Sequence, residues 1–91
     1  MPPMHSDPDL KRLCWRAHHR GTKEADILIG SFFDAHVGCW SEADRNLFAT
    51  MLDEQDADIL SWATGTAEAP ERYRGTVLQE LQNLDYVPAS K

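Results

Sequence analysis

The sequence is short of most things that chemistry requires. Two cysteines, Cys14 and Cys39, are too few for a disulfide framework and form no Cys-x-x-Cys pair, which excludes a zinc ribbon or thioredoxin-type centre at the level of motif. Five glycines are scattered along the chain and build no phosphate-cradling loop. No apolar run approaches the ~20 residues of a membrane-spanning helix, so direct membrane insertion is not expected. Met1 to Asp9 holds no apolar stretch of a secretory signal, and acids begin at Asp7, unlike a transit peptide. The expected setting is a bacterial cytoplasm in which both thiols stay free. No segment alternates with strand period, and there are no repeats or low-complexity tracts.

What is present fits one small domain. The chain has 91 residues, 42% of them hydrophobic, which is enough for a single thin core. The net charge of −6 makes a poor nucleic-acid binder by overall field, and a monomer is expected when free. The charge is divided along the chain. Leu10 to Lys23 carries five bases (Lys11, Arg12, Arg16, Arg20, Lys23) and no acid. Ser41 to Leu60 carries six acids (Glu42, Asp44, Asp53, Glu54, Asp56, Asp58) and one base, Arg45. Such stretches are solvated faces that attract each other, or a basic patch for an acidic partner; composition favours the former.

The pattern predicts an all-α fold of five short helices over residues 7–86, with flexible tails at 1–6 and 87–91. Asp7-Pro8 starts the first helix, with Leu10, Leu13, Cys14 and Ala17 on its apolar stripe and Gly21 as its stop. Thr22 caps a second helix carrying Ala25, Leu28, Ile29, Phe32, Phe33 and His36 and ending at Gly38. Gly30 inside it costs about 1 kcal/mol against alanine, and close backbone approach of a neighbouring helix would account for it. Ser41 with Asp44 makes a capping box for a third helix with Leu47, Phe48, Met51 and Leu52. Asp56 caps a fourth with Ile59, Leu60 and Ala63, stopped by Gly65. Pro70 starts a fifth with Tyr73, Val77, Leu78, Leu81 and Leu84.

No catalytic constellation emerges. Cys14 and His18 are four apart on one helix face, with His19 and His36 as candidates to join them in a metal site. The weightier reading is a buried thiol and a helix-end histidine, so no resident metal is expected. A Cys–His nucleophile pair lacks anything to orient its base. Arg20 stays protonated and serves only as an electrostatic group. Trp62 is expected to close the core against the fifth helix, Trp40 to sit at a corner, and Trp15 to lie off the apolar stripe, where edge packing outweighs the alternative of an interface anchor. Within His19-Arg20-Gly21-Thr22-Lys23-Glu24-Ala25-Asp26, capping alone accounts for each residue: Arg20 at one helix end, Glu24 at the start of the next, Gly21 between.

The string Cys14-Trp15-Arg16-Ala17-His18-His19-Arg20-Gly21-Thr22-Lys23-Glu24-Ala25-Asp26, continuing to Phe33, resembles the succinate dehydrogenase flavinylation-factor family, which carries Arg-Gly-x-x-Glu after its first helix. Met51-Leu52-Asp53-Glu54-Gln55-Asp56-Ala57-Asp58-Ile59-Leu60-Ser61-Trp62 resembles the same family's second signature. Two departures are His19, often arginine there, and Ala25, often larger. The resemblance spans roughly Asp7 to Leu84. It implies a five-helix assembly factor, not an enzyme, that binds the flavoprotein subunit of succinate dehydrogenase and, in some bacteria, fumarate reductase. It further implies that the factor promotes covalent attachment of FAD to that subunit, with FAD the client's cofactor and none held stably by the factor. By position, Arg20, Gly21 and Glu24 form the client-binding motif. Trp15, Arg16, His19, Lys23 and Asp26 are expected to extend it. Competing expectations are a metal- or redox-responsive protein using Cys14, Cys39 and the histidines, or a DNA-directed regulatory module with a basic first helix.

Overall fold

Among the described residues five α-helices follow in order, as the pattern predicts: α1 Pro8–His18, α2 Lys23–His36, α3 Glu42–Met51, α4 Asp56–Thr64 and α5 Thr76–Asn83. The structure is a computed structural model that describes residues 8–86. The expected tails and the Asp7 cap lie outside the described residues.

Local chemistry sets most boundaries. Thr22 Oγ1 accepts the Ala25 amide and caps α2. Ser41 and Asp44 exchange side-chain and backbone bonds as a full capping box on α3. Gly65, at φ 80°, ends α4 in the left-handed region. Four expectations are corrected. The α-helical part of α2 stops at His36, and Val37–Cys39 forms a single 3-10 turn that carries Gly38 and tucks Val37 into the core. Asp56 does not cap α4: Gln55 holds that position without a side-chain bond, and the Asp56 carboxylate goes elsewhere. Pro70 opens only a 3-10 turn, Glu71–Tyr73, before Gly75, at φ 140°, redirects the chain into α5. That break lets Tyr73 drop into the core, where it is 1% exposed, while Val77, Leu78 and Leu81 still reach it. Leu84 caps α5 in the left-handed region and is exposed, so it leaves the stripe on which it was expected.

Phe32 is the hub of the core, fully buried, with the rings of Trp40, Phe48 and Tyr86 at 5.4, 5.8 and 5.0 Å. Trp40 is therefore a core residue at its corner, its indole N–H donating to Glu80 at 2.9 Å. Trp62 lies against Tyr73 at 5.5 Å, and its backbone carbonyl accepts from Gln82 of α5. This aromatic mass fixes α2, α3 and α5. The ends of α1 and α4 are tied down differently, and that difference creates the site.

Candidate functional site

The α1–α2 turn is built by its own polar groups. Asp26, in the first turn of α2, reaches back so that one carboxylate oxygen accepts both the Arg20 and the Gly21 backbone N–H. Thr22 accepts from Asp26 N–H through its carbonyl and from Ala25 N–H through its hydroxyl. Gly21 adopts φ +119°, where side-chain-bearing residues are strained, although a Cβ there would meet nothing within 4 Å. Its constraint is conformational rather than spatial.

The Arg20 side chain crosses to the α3–α4 turn. Its Nε donates to Asp56 Oδ1 at 2.8 Å, and Nη2 donates to the Leu52 carbonyl at 2.7 Å and the Glu54 carbonyl at 3.4 Å. The side chain is only 11% exposed and that of Asp56 21%. The planar guanidinium fork suits this task, because one cation meets a carboxylate and two orphan carbonyls at a helix end. One turn earlier, Arg16 donates to Asp53 at 2.7 Å and to the Ala49 carbonyl. The two stretches singled out in the sequence, 14–26 and 51–62, are thus joined directly. The carboxylate that Arg20 meets belongs to its own chain, so the guanidinium is committed internally.

What remains for another molecule lies around this clamp. Trp15 is 62% exposed and stacks on His19 with ring centroids 4.4 Å apart at 14°. His19 Nδ1 donates to the Trp15 carbonyl at 2.8 Å, which holds the stack as one platform. Gly21, Lys23 and Glu24 are exposed, and Glu24 has no hydrogen-bond or ion-pair partner among the described residues. Ile27, one turn into α2, is also exposed. The residues expected at the site therefore separate by role. Arg16, Arg20 and Asp26 are spent on construction, and Trp15, His19, Gly21, Lys23 and Glu24 are presented. Ala25 is wholly buried, so its small size belongs to helix packing.

On the other side of α1, His18 and Cys14 meet Asp34 of α2, not His19 or His36. One ligand atom from each of the three lies within 4.8 Å of the others. Burial tends to lower the His18 pKa, but the Cys14 carbonyl and the Asp34 carboxylate outweigh it and hold the imidazole above its usual 6.5. Burial, and then Asp34, push the Cys14 thiol up, which makes it a poor nucleophile. The bed of His18 is Gly30: a Cβ there would stand 2.6 Å from the imidazole Cδ2. The close approach expected at Gly30 is real, but it is made by a side chain rather than a helix backbone.

Sequence reasoning missed Asp53, Asp56 and the Leu52 carbonyl as partners of the basic helix, and Asp34 as the partner of His18. The signal for the first was the charge division between the two stretches. For the second it was Gly30 and Asp34, four apart on one face of α2.

A family model described as flavinator of succinate dehydrogenase matches residues 11–85. A "Succinate dehydrogenase assembly factor 2, mitochondrial" of Schizosaccharomyces pombe is 34% identical over 76 residues, covering 82% of this chain and 55% of the relative. A protein of the same name from Dictyostelium discoideum is 32% identical over 73 residues, 80% of this chain and 52% of the relative. An "FAD assembly factor SdhE" of Acetobacter pasteurianus is 32% identical over 71 residues, 78% of this chain and 65% of the relative. The chain thus spans between about half and two thirds of the length of these curated relatives. No solved structure matches it significantly.

Proposed function

The chain belongs to the family of flavinators of succinate dehydrogenase, and from that premise we propose that it is a FAD assembly factor. In this reading it binds the flavoprotein subunit of succinate dehydrogenase and promotes covalent attachment of FAD to that subunit; fumarate reductase is a second client. The factor acts as a monomer in the bacterial cytoplasm, holds no flavin of its own and supplies no catalytic group. FAD remains the client's.

The observation that carries the reading is the joining of the two signature stretches through Arg20, with a rigid, exposed platform beside the joint. A helper of this kind needs a preorganised face rather than a nucleophile. Holding the client's histidine and flavin in reacting geometry offsets entropy that otherwise opposes the bond, an effect of up to ~7–11 kcal/mol in well-oriented systems. Arg20 is a positioning residue: it fixes the α1–α2 turn to the α3–α4 turn. Gly21 lets the client backbone approach, Trp15 with His19 offers a flat aromatic anchor, and Glu24 accepts hydrogen bonds from the client.

The test is reconstitution of the client flavoprotein with FAD, read by in-gel flavin fluorescence, with Glu24→Gln and Trp15→Ala. Both side chains are exposed, so both variants retain the helical circular-dichroism spectrum and thermal midpoint of the parent. Covalent flavin is expected to form at least ~10-fold more slowly with each, as for an interface anchor worth more than 1 kcal/mol. Full activity in both variants would remove this face from the mechanism. Failure of the unmodified chain to flavinylate the subunit would remove the function.

A further inference from the structure

The Cys14–His18–Asp34 cluster is arranged as a coordination site, and we propose that it binds one divalent transition-metal ion of the zinc class, linking α1 to α2. The argument begins with the imidazole. His18 Nδ1 lies 2.8 Å from the Cys14 carbonyl oxygen, which can only accept. Nδ1 therefore carries a hydrogen, and Nε2 is the nitrogen left to meet Asp34 Oδ2 at 3.0 Å. In the neutral ring Nε2 is a lone-pair donor, and so is the carboxylate. Two such atoms at this distance require a cation between them, either a proton or a metal. A backbone carbonyl on one ring nitrogen, with the other free, is the arrangement by which proteins orient metal-binding histidines.

Cys14 supplies the third donor, with Sγ 3.6 Å from Nδ1 of the same ring. The same geometry makes His18 a poor base toward the thiol, because the nitrogen nearest Sγ already donates to a carbonyl. The tetrahedral bond lengths of Zn²⁺ put its ligand atoms about 3.3–3.6 Å apart, so the cluster, now within 4.8 Å, contracts on binding by rotation of Cys14 and the exposed Asp34. A thiolate, an imidazole and a carboxylate form a mixed set that suits Zn²⁺ over Mg²⁺ or Ca²⁺, and three protein donors leave the fourth position to water. Binding displaces the thiol proton and the proton held between Nε2 and Oδ2, both to solvent. Two ligand charges then neutralise the ion.

A second observation shows that the site is built. Gly30 lies mid-helix, where glycine costs about 1 kcal/mol, and its bare Cα is what admits the His18 ring. Phe33 meets the ring edge-on at 6.3 Å from the other direction. The imidazole is thus seated from two sides and aimed at Asp34. His19, the next residue, turns away onto Trp15.

The test is titration of the reduced protein with Co²⁺, the spectroscopic stand-in for Zn²⁺, followed by competition with Zn²⁺. One equivalent is expected to produce a thiolate-to-cobalt charge-transfer band and tetrahedral visible bands. Both persist in Cys39→Ser and vanish in Cys14→Ser. Asp34→Asn, an exposed and isosteric change that leaves the fold intact, is expected to weaken binding at least ~10-fold. Free Zn²⁺ at about ten times Kd should raise the thermal midpoint by roughly 5–10 °C in the parent and not in Cys14→Ser. Absence of a thiolate band in the parent, its persistence in Cys14→Ser, or unchanged affinity in Asp34→Asn would each overturn the proposal. None of these readouts involves flavin, so this inference and the assembly-factor reading stand or fall separately.

Discussion

The turn between α3 and α4 is gripped from two sides by arginines that differ in nearly everything except charge. From the end of α1, just past its last turn, Arg20 enters with its side chain 11% exposed and meets Asp56 and two backbone carbonyls of that turn. From the 3-10 turn before α5, Arg72 arrives 61% exposed and meets Glu54 Oε2 at 2.6 Å, with its guanidinium over the Tyr73 ring. Both are short, well-aligned ion pairs. The difference is what each leaves behind when removed. Without Arg20, a half-buried carboxylate and two helix-end carbonyls lose their donor where water reaches poorly. Without Arg72, water replaces it, and Tyr73 still donates to Glu54 at 2.7 Å. Burial and the number of acceptors, not distance, rank the two contacts.

The largest effect follows directly. Arg20→Ala is expected to cost about 3 kcal/mol, a fall of the order of 15 °C in thermal midpoint for a domain of this size. Arg20→Lys should recover less than half of that, because an ammonium cannot serve Asp56 and the Leu52 carbonyl in one plane. Thermal melts of the two variants with Asp56→Ala and the double variant measure the coupling. Additive losses for Arg20→Ala and Asp56→Ala would break the comparison. This also changes how activity data on Arg20 are to be read. A loss of the proposed flavinylation in Arg20→Ala would report a collapsed turn, so the proposed docking is tested at Glu24 and Trp15.

A smaller effect tests the other grip through pH. The Tyr73 hydroxyl first, and then Arg72, hold the Glu54 carboxyl below its usual 4.5. A lowered folded-state pKa means that the unfolded chain binds the proton more readily. The contribution is therefore fully present above the ordinary carboxyl range and is lost as pH falls through the folded value. Thermal midpoints of the parent and Glu54→Gln should differ at pH 7 and converge as the pH falls below about 4. A gap that stays constant down to acid would show that Glu54 acts by shape alone.

How much of this was legible in the sequence depends on range. Local chemistry was readable: the Thr22 cap, the Ser41–Asp44 box, the Gly65 stop and the five-helix count follow from side chains acting on their own backbone. The Pro70 start misled because the distant pull of Trp62 and Glu54 on Tyr73 overrode a local signal. Charge told which stretches attract, yet it did not tell that Arg20 would be nearly buried on Asp56 while Lys23 and Glu24 stayed in water. Both arginines look alike in one-letter code, and the acceptors that separate them are largely backbone carbonyls, which every residue carries. Glu24, Gly21 and Trp15 were expected from the resemblance and from position, and the structure adds that all three are exposed while Arg20 and Asp26 are bonded within the chain.

The smallest expected effect is the sharpest test of that division between the two grips. Arg72→Ala removes an ion pair as short as any at the turn, together with a cation–π contact of 4.8 Å. A ranking by distance predicts a loss comparable to that of Arg20→Ala. Ranking by burial predicts a thermal midpoint within measurement error of the parent, because the exposed guanidinium exchanges one solvated state for another and regains side-chain entropy. Added salt discriminates further. Exposed pairs weaken over a Debye length of about 10 Å at 0.1 M, whereas the Arg20–Asp56 contact is shielded by the protein around it. Raising the salt should therefore leave the difference between the parent and Arg20→Ala nearly unchanged, while any residual difference for Arg72→Ala disappears. A large, salt-resistant loss on removing Arg72 would mean that the α3–α4 turn is clamped equally from both sides and that α1 holds no privileged grip on it.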